Sequence, residues 1–410
     1  MSTSTADAAK APAATTAAAA DDDVPQPLPN LALQQLHFAI LSPRTEQAER
    51  KQKAEELLKG IEADEMAPYL SALLAGPAGD VLPSRAKELL APLQAKNEEA
   101  LRLMDEAQTR LEENEGEMEV NAVRRQRAKY LARIGDKDRA LEAHTTAIEK
   151  AAGLGSRLDL TLAQIRIGLF HGDATVTTEG IARAKELVEE GGDWDRRNRL
   201  KVYEGLHLLS IRQFKQGGEL FLDALSTFTA TELISYNEFV TLTVLANMLS
   251  LERREIKKKI IESPEVLQVI DEIPHLRTFT TSLYGCDYAT FFVALAAVEQ
   301  THLLPSRVLS THTRFYVRSM RVLAYQQLLA SYSSVTLQAM ASAFGVSEGF
   351  IDEELARFIA AGRISAAIDR VSGTIETRRS TSTTAAYERV LKEGDVTLSS
   401  LQKLSRTLVG

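Results

Sequence analysis

From Asn30 to about residue 300, apolar residues recur at intervals of three and four, and Gly and Pro gather only between the periodic segments, at Gly76-Pro77, Gly153 to Gly155 and Gly191-Gly192. This is the pattern of successive amphipathic helices, each with a stripe to bury. Asn30 is placed to cap the first, with Leu31, Leu33, Leu36 and Phe38 as its apolar contacts. A degenerate repeat of near forty residues runs through the middle. Gly135-Asp136 separates two helices and is followed by Ala140 and Ala147; Gly172-Asp173 is followed by Ala184; Phe214, Gly217, Phe221 and Ala224 form a third copy. Small residues at these places let paired helices approach, which predicts stacked hairpins of tetratricopeptide-like character in a quasi-linear solenoid. Beyond them, Ser263-Pro264-Glu265 opens a helix with Pro at its first position. Tyr284 to Gln300 reads as one strongly apolar helix, and Arg318 to Tyr332 as the helix leading out of the solenoid.

The period changes between Val335 and Arg379. Ser334 or Thr336 caps a short helix carrying Leu337, Met340, Ala341 and Phe344, stopped by Gly345; Ser347 caps a second with Ile351, Leu355, Phe358 and Ile359, ended by Gly362. Ile364, Ala366 and Ile368 then alternate with Arg363, Ser365 and Asp369, and after Ser372-Gly373 a second strand alternates Ile375 and Thr377 with Glu376 and Arg378. Helix, helix and hairpin make a winged-helix module. With Ile351 and Leu355 turned inward at about 100° per residue, the second helix shows outward Gly349, Glu353, Ala356, Arg357 and Ala360. That face has little with which to read a base edge, and Glu348, Asp352, Glu353 and Glu354 repel a phosphate backbone. A face of Gly and Ala permits close approach by another protein. The hairpin adds an unpaired strand edge for pairing with a neighbour; the sequence leaves open which strand that is.

From Tyr387 to Val409, Tyr387, Leu391, Leu398, Leu401, Leu404 and Leu408 fall at spacings of three, four or seven on an otherwise polar helix, the seam of a coiled coil or bundle. Gly394-Asp395 is expected to bend or interrupt it. At the other end, residues 1 to about 26 are Ala, Ser and Thr followed by Asp21-Asp22-Asp23 and prolines, which predicts a disordered tail.

Composition narrows the class. The 410 residues carry a net charge of −8, which argues against a polyanionic partner, and one cysteine, Cys286, which forms no intramolecular disulfide and no cysteine-rich zinc site. A small residue packed in a helix is its expected role. No apolar run approaches membrane-spanning length and no secretory signal is recognised, so a soluble intracellular protein is expected. The histidines at 37, 144, 171, 207, 275, 302 and 312 form no metal-binding spacing. Gly153-Leu154-Gly155-Ser156 follows a helix and lacks the Gly-Lys-Ser/Thr ending of a phosphate loop. The basic run Arg253 to Lys259 reads as the charged face of a packed helix, with Ile256 and Ile260 inward. No catalytic, cofactor or metal residues are predicted, and the chain is read as no enzyme.

A resemblance now rests on particular residues: Tyr316-Val317-Arg318-Ser319-Met320-Arg321, Ala324-Tyr325, Leu328-Leu329, Met340-Ala341, Ala343-Phe344-Gly345-Val346-Ser347, Phe350-Ile351-Asp352, Glu354-Leu355 and Arg357 to Arg363. This block resembles the PCI domain of a lid subunit of the 26S proteasome, the non-ATPase regulatory subunit 6 family. Pro29-Asn30-Leu31, Met66-Ala67-Pro68-Tyr69, Gly205-Leu206-His207-Leu208 and Gln402 to Arg406 extend the likeness over most of the chain. Thr313-Arg314-Phe315 and Arg378-Arg379-Ser380 depart from it. The resemblance implies a non-catalytic scaffold without cofactor, located in cytoplasm and nucleus. Its implied partners are other lid PCI subunits, a small acidic lid subunit and, indirectly, the lid deubiquitinase. Neither nucleic acid nor membrane is among them. A signalosome or translation-initiation PCI scaffold, or a nucleic-acid-binding winged helix, is the alternative.

The expected fold is mainly α. A disordered tail spans 1–27, an N-terminal helical arm 28–115, a tetratricopeptide-like solenoid 116–315, the winged-helix part of a PCI domain 316–380 and a C-terminal bundle helix 385–410. Expected interface residues are Gly349, Glu353, Ala356, Arg357, Ala360, Ile375 and Arg378 in the winged helix. In the last helix they are Leu391, Leu398, Leu401, Leu404 and Leu408.

Overall fold

The structure, a computed structural model, describes residues 27–114, 116–377 and 382–409. The tail expected over 1–26 and Arg378 therefore lie outside the described residues, as does the side chain of Leu408. Contacts divide the chain into two compact units: one runs to Ile273 and includes His302–Thr311, the other comprises Pro274–Thr301 and the chain from His312 onward.

The first unit is helical throughout. Its helices are α1 (Leu31–Leu41), α2 (Gln47–Ala63), α3 (Ala67–Ala75), α4 (Arg85–Asn114), α5 (Glu117–Ile134), α6 (Lys137–Lys150), α7 (Leu154–His171), α8 (Ala174–Gly191), α9 (Trp194–Ser210), α10 (Phe214–Leu225), α11 (Tyr236–Ser250), α12 (Arg253–Ile256) and α13 (Pro264–Val269). Asn30 caps α1 as expected, its side chain accepting from the Ala32 amide at 3.0 Å. The two Gly-Asp turns share one construction. Gly135 and Gly172 take left-handed φ of 77° and 71°, which a Cβ would oppose, and Asp136 and Asp173 accept amide hydrogen bonds from the next helix. Lys137 bridges from one turn to the other, its Nζ 2.7 Å from Asp173 Oδ2; that bond, the Thr175 hydroxyl and the Val176 amide hold the Asp173 carboxyl below the usual carboxylate range. In the third hairpin α9 and α10 touch backbone to backbone. A Cβ on Gly205 would lie 2.4 Å from Phe221 Cε1, and one on Gly217 would lie 3.1 Å from the Gly205 carbonyl oxygen. Ala140, Ala147, Ala184 and Ala224 are all buried. Ile256 and Ile260 are buried while Arg253, Arg254 and Lys257–Lys259 lie outside, as the periodicity of the basic run requires.

The second unit contains α14 (Leu276–Gly285), α15 (Tyr288–Val298), α16 (Thr313–Leu329), β1 (Ser334–Thr336), α17 (Leu337–Phe344), α18 (Glu348–Ala360), β2 (Ala366–Asp369), β3 (Thr374–Thr377) and α19 (Ser382–Val409). Phe344 is its hub: its ring centroid lies 4.8 Å from Tyr288, 4.9 Å from Phe292 and 4.7 Å from Tyr325. Residues 276–298 thus pack with the winged helix and lie in the same compact unit as it.

Two local expectations are corrected here. The helix expected to run unbroken from Tyr284 is divided, because Cys286 takes a left-handed φ of 62° and Asp287 caps the next helix at the Thr290 amide. Cys286 is consequently an exposed helix-end residue, not one packed within a helix. Gly394-Asp395 does not interrupt the last helix, which is continuous from Ser382 to Val409. One glycine costs only about 1 kcal/mol in a helix, too little to end 28 residues of otherwise helical sequence.

Candidate protein-interaction surfaces

The winged-helix core is built on three strands, not two. β3 is central and antiparallel to both neighbours, in the order β1-β3-β2, with Val335 opposite Ile375 and Ile375 opposite Ile368. Thr336 ends β1 and caps α17, its hydroxyl accepting from the Ala339 amide at 3.2 Å. The edges are therefore β1 and β2, while β3 is paired on both sides.

This pairing corrects one expected interface residue. Ile375 is fully buried beneath the helices and cannot contribute to an outward surface. Strand alternation separates Ile375 and Thr377 from Glu376, but the third strand and the covering helices decide which face is core. The other winged-helix positions on described residues lie where the helical period puts them. Gly349, Glu353, Arg357 and Ala360 are exposed and Ala356 is half-buried. Nothing lies within 4 Å of where a Gly349 Cβ would stand, so close approach to α18 is open there. Glu353 and Arg357 pair with each other at 3.0 Å along the helix, and Arg370 of the β2–β3 turn pairs with Asp352 at 2.9 Å. Two cations near this face thus already have anionic partners.

Glu354, expected among the acids that repel a phosphate backbone, is instead turned inward and fixes how α18 sits. Glu354 is only 8% exposed, and its carboxylate accepts from Tyr325 Oη at 2.5 Å while pairing with Arg321 at 2.9 Å. Burial and the neighbouring carboxylate push the Tyr325 phenol up, so it stays protonated and donates. The signal was present: Glu354 stands three residues after Ile351 and four before Phe358, a charged residue inside an apolar stripe. Partners 29 and more residues away along the chain were not readable from that position.

α19 presents an uncovered apolar face. Every side chain described on it is exposed, with Tyr387, Leu391, Leu398, Leu401 and Leu404 between 57% and 69% open. Tyr387, Leu391, Leu398 and Leu401 fall within an arc of about 80° at 100° per residue. No helix among the described residues is long and apolar enough to cross a membrane. Groups of three His, Cys, Asp or Glu side chains able to hold a metal are absent among the described residues.

The family model described as 26S proteasome subunit RPN7 matches residues 86–259, and that of the PCI domain matches 288–379. The 26S proteasome non-ATPase regulatory subunit 6 homolog of Arabidopsis thaliana is 42% identical over 380 residues, 93% of this chain and 97% of its own. The chain belongs to this family. Its counterparts include the 26S proteasome non-ATPase regulatory subunit 6 of Dictyostelium discoideum, 41% identical over 94% of this chain and 99% of its own. The 26S proteasome regulatory subunit RPN7 of Saccharomyces cerevisiae is 37% identical over 92% of each. The PCI match spans α15 through β3, so in this Rpn7-family chain the PCI sequence and the aromatic core around Phe344 coincide.

Proposed function

We propose that this chain is a non-catalytic scaffold subunit of the 26S proteasome lid, supporting assembly and, through it, ubiquitin-dependent protein degradation. α19 carries the reading: a 28-residue helix with an apolar seam wholly exposed in the single chain requires other helices to cover it. A seam of leucines about 60% open is costly in water and suits a multi-chain bundle. The outward face of α18 and the edge of β2 or β1 supply a second contact, by close helix approach or strand addition to a neighbouring PCI subunit. Partners on this reading are other lid PCI subunits, a small acidic lid subunit and, indirectly, the lid deubiquitinase, in cytoplasm and nucleus; neither nucleic acid nor membrane is engaged.

The test replaces the native chain by a tagged one carrying Leu401→Asp and Leu404→Asp, purifies it under native conditions and identifies co-purifying proteins by mass spectrometry. Loss of lid subunits with an unchanged thermal unfolding profile is the expected result. Undiminished lid recovery by this variant removes α19 from the assembly. Recovery of another PCI complex without proteasomal subunits by the unaltered chain overturns the reading.

A further inference from the structure

The first unit holds a recess of about 780 Å³ that none of the surfaces above uses. Its walls come from five separated segments: the start of α1, the turn between α7 and α8, the end of α9, the stretch leading into α11, and residues 306–311. Leu31, Leu36, Leu206, Leu233 and Val308 supply apolar wall.

The polar groups lining it differ in how far they are satisfied. Arg307 donates to the carbonyl oxygens of Leu169 and Phe170, at the negative end of the α7 dipole. Asp173 is held by Lys137, and the His207 ring lies 3.2 Å from Thr178 Oγ1. Two carboxylates remain. Glu232 is 4% exposed; its Oε1 accepts from Tyr203 Oη at 3.1 Å, and its Oε2 has no hydrogen-bond partner. Glu238 is open to solvent at the rim, yet enough protein surrounds its carboxyl that desolvation raises its pKa, with no cation lowering it. Among the described residues neither glutamate has an ion-pair partner. A buried, unpaired carboxylate oxygen is destabilising unless a donor arrives from elsewhere.

We propose that this recess receives a basic side chain, Lys or Arg, from an extended segment of a partner protein, its aliphatic stem lying along the leucines and its cation on Glu232 and Glu238. The apolar wall suits the stem and the two acids suit the head, the division such side chains make between their two ends. A volume of about 780 Å³ exceeds the needs of a bare ion and fits a side chain with its flanking residues. The chain's own leading segment is a poor occupant: residues 1–26 carry four Asp against one Lys, the same sign as the recess.

The test is an array of acetylated pentapeptide amides with Leu at both ends and a central Arg or Lys, and control arrays with citrulline or norleucine at the centre, probed with the full-length chain. Hits are then titrated by calorimetry. Basic peptides are expected to bind at least tenfold tighter than their neutral counterparts, and Glu232→Gln, which keeps the acceptor for Tyr203, is expected to remove that preference without changing the far-ultraviolet spectrum. Equal binding of basic and neutral peptides, no binding by either, or an unaltered preference in both Glu232→Gln and Glu238→Gln overturns the proposal. So does binding that appears only once residues 1–26 are deleted, since the chain itself would then fill the recess.

Discussion

Removing Glu354 should loosen α18 about as much as truncating its largest buried apolar side chain, Phe358. The carboxylate is buried, and its two oxygens are divided between the Arg321 guanidinium at 2.9 Å and the Tyr325 hydroxyl at 2.5 Å. Glu354→Ala leaves a half-buried cation and a fully buried hydroxyl without their acceptor, on a side of α18 that packs against α16. Breaking a buried pair from one end costs about 3–5 kcal/mol, because the stranded charge keeps its desolvation penalty. Tyr325→Phe removes only one donor to a charged acceptor and costs about 1.5–3 kcal/mol. Global melting mixes two units, so the better assay is native-state hydrogen exchange followed by mass spectrometry, which reads local opening. At 1.36 kcal/mol per factor of ten, Glu354→Ala should lower the protection of α18 amides by about two to four orders of magnitude. The α5–α6 hairpin, in the other unit, serves as internal reference. Wild-type protection of α18 in Glu354→Ala would show that the triad does not hold the helix.

Three further outcomes follow from other contacts. Gly205→Ala should destabilise the first unit by about 1–3 kcal/mol in urea titrations, because its Cβ meets the fully buried Phe221 ring at 2.4 Å, whereas Gly349→Ala meets nothing and should leave stability unchanged or slightly higher. His144 is buried with Nδ1 2.7 Å from the Ala140 carbonyl oxygen, and burial lowers its pKa from 6.5 to about 4. The unfolded chain therefore takes up the proton first as pH falls, so stability from the neutral ring is complete above pH 6.5 and about 3 kcal/mol is lost on the way down to pH 4. Urea midpoints across that window should flatten in His144→Asn, and an identical slope would assign the loss elsewhere. Phe358→Ala, at a ring 6% exposed and 6.2 Å from Tyr325, should cost about 3–5 kcal/mol, read by circular dichroism as early melting of part of the helical signal.

What the sequence determined by itself is local and periodic. The Gly-Asp turns at 135 and 172 were readable because a left-handed stop and a side-chain cap need only neighbouring residues. The outward face of α18 was readable because 100° per residue follows from the backbone alone, and the helix-to-strand change near Ile364 because the apolar period itself changes. Tertiary structure decided whatever depends on residues distant in the chain. β1 has three residues and no pattern of its own; pairing with β3 forty residues on makes it a strand, and Ile375, expected at the interface, lies in the core. The break at Cys286-Asp287 goes with the packing of Tyr288 and Phe292 on Phe344, and Glu354 is buried only because α16 brings Arg321 and Tyr325 to it. The recess around Glu232 draws on segments from residue 27 to 311, and no periodicity brings those together. Hydrogen bonds within one turn are encoded by nearest neighbours, whereas burial is a property of the closed fold.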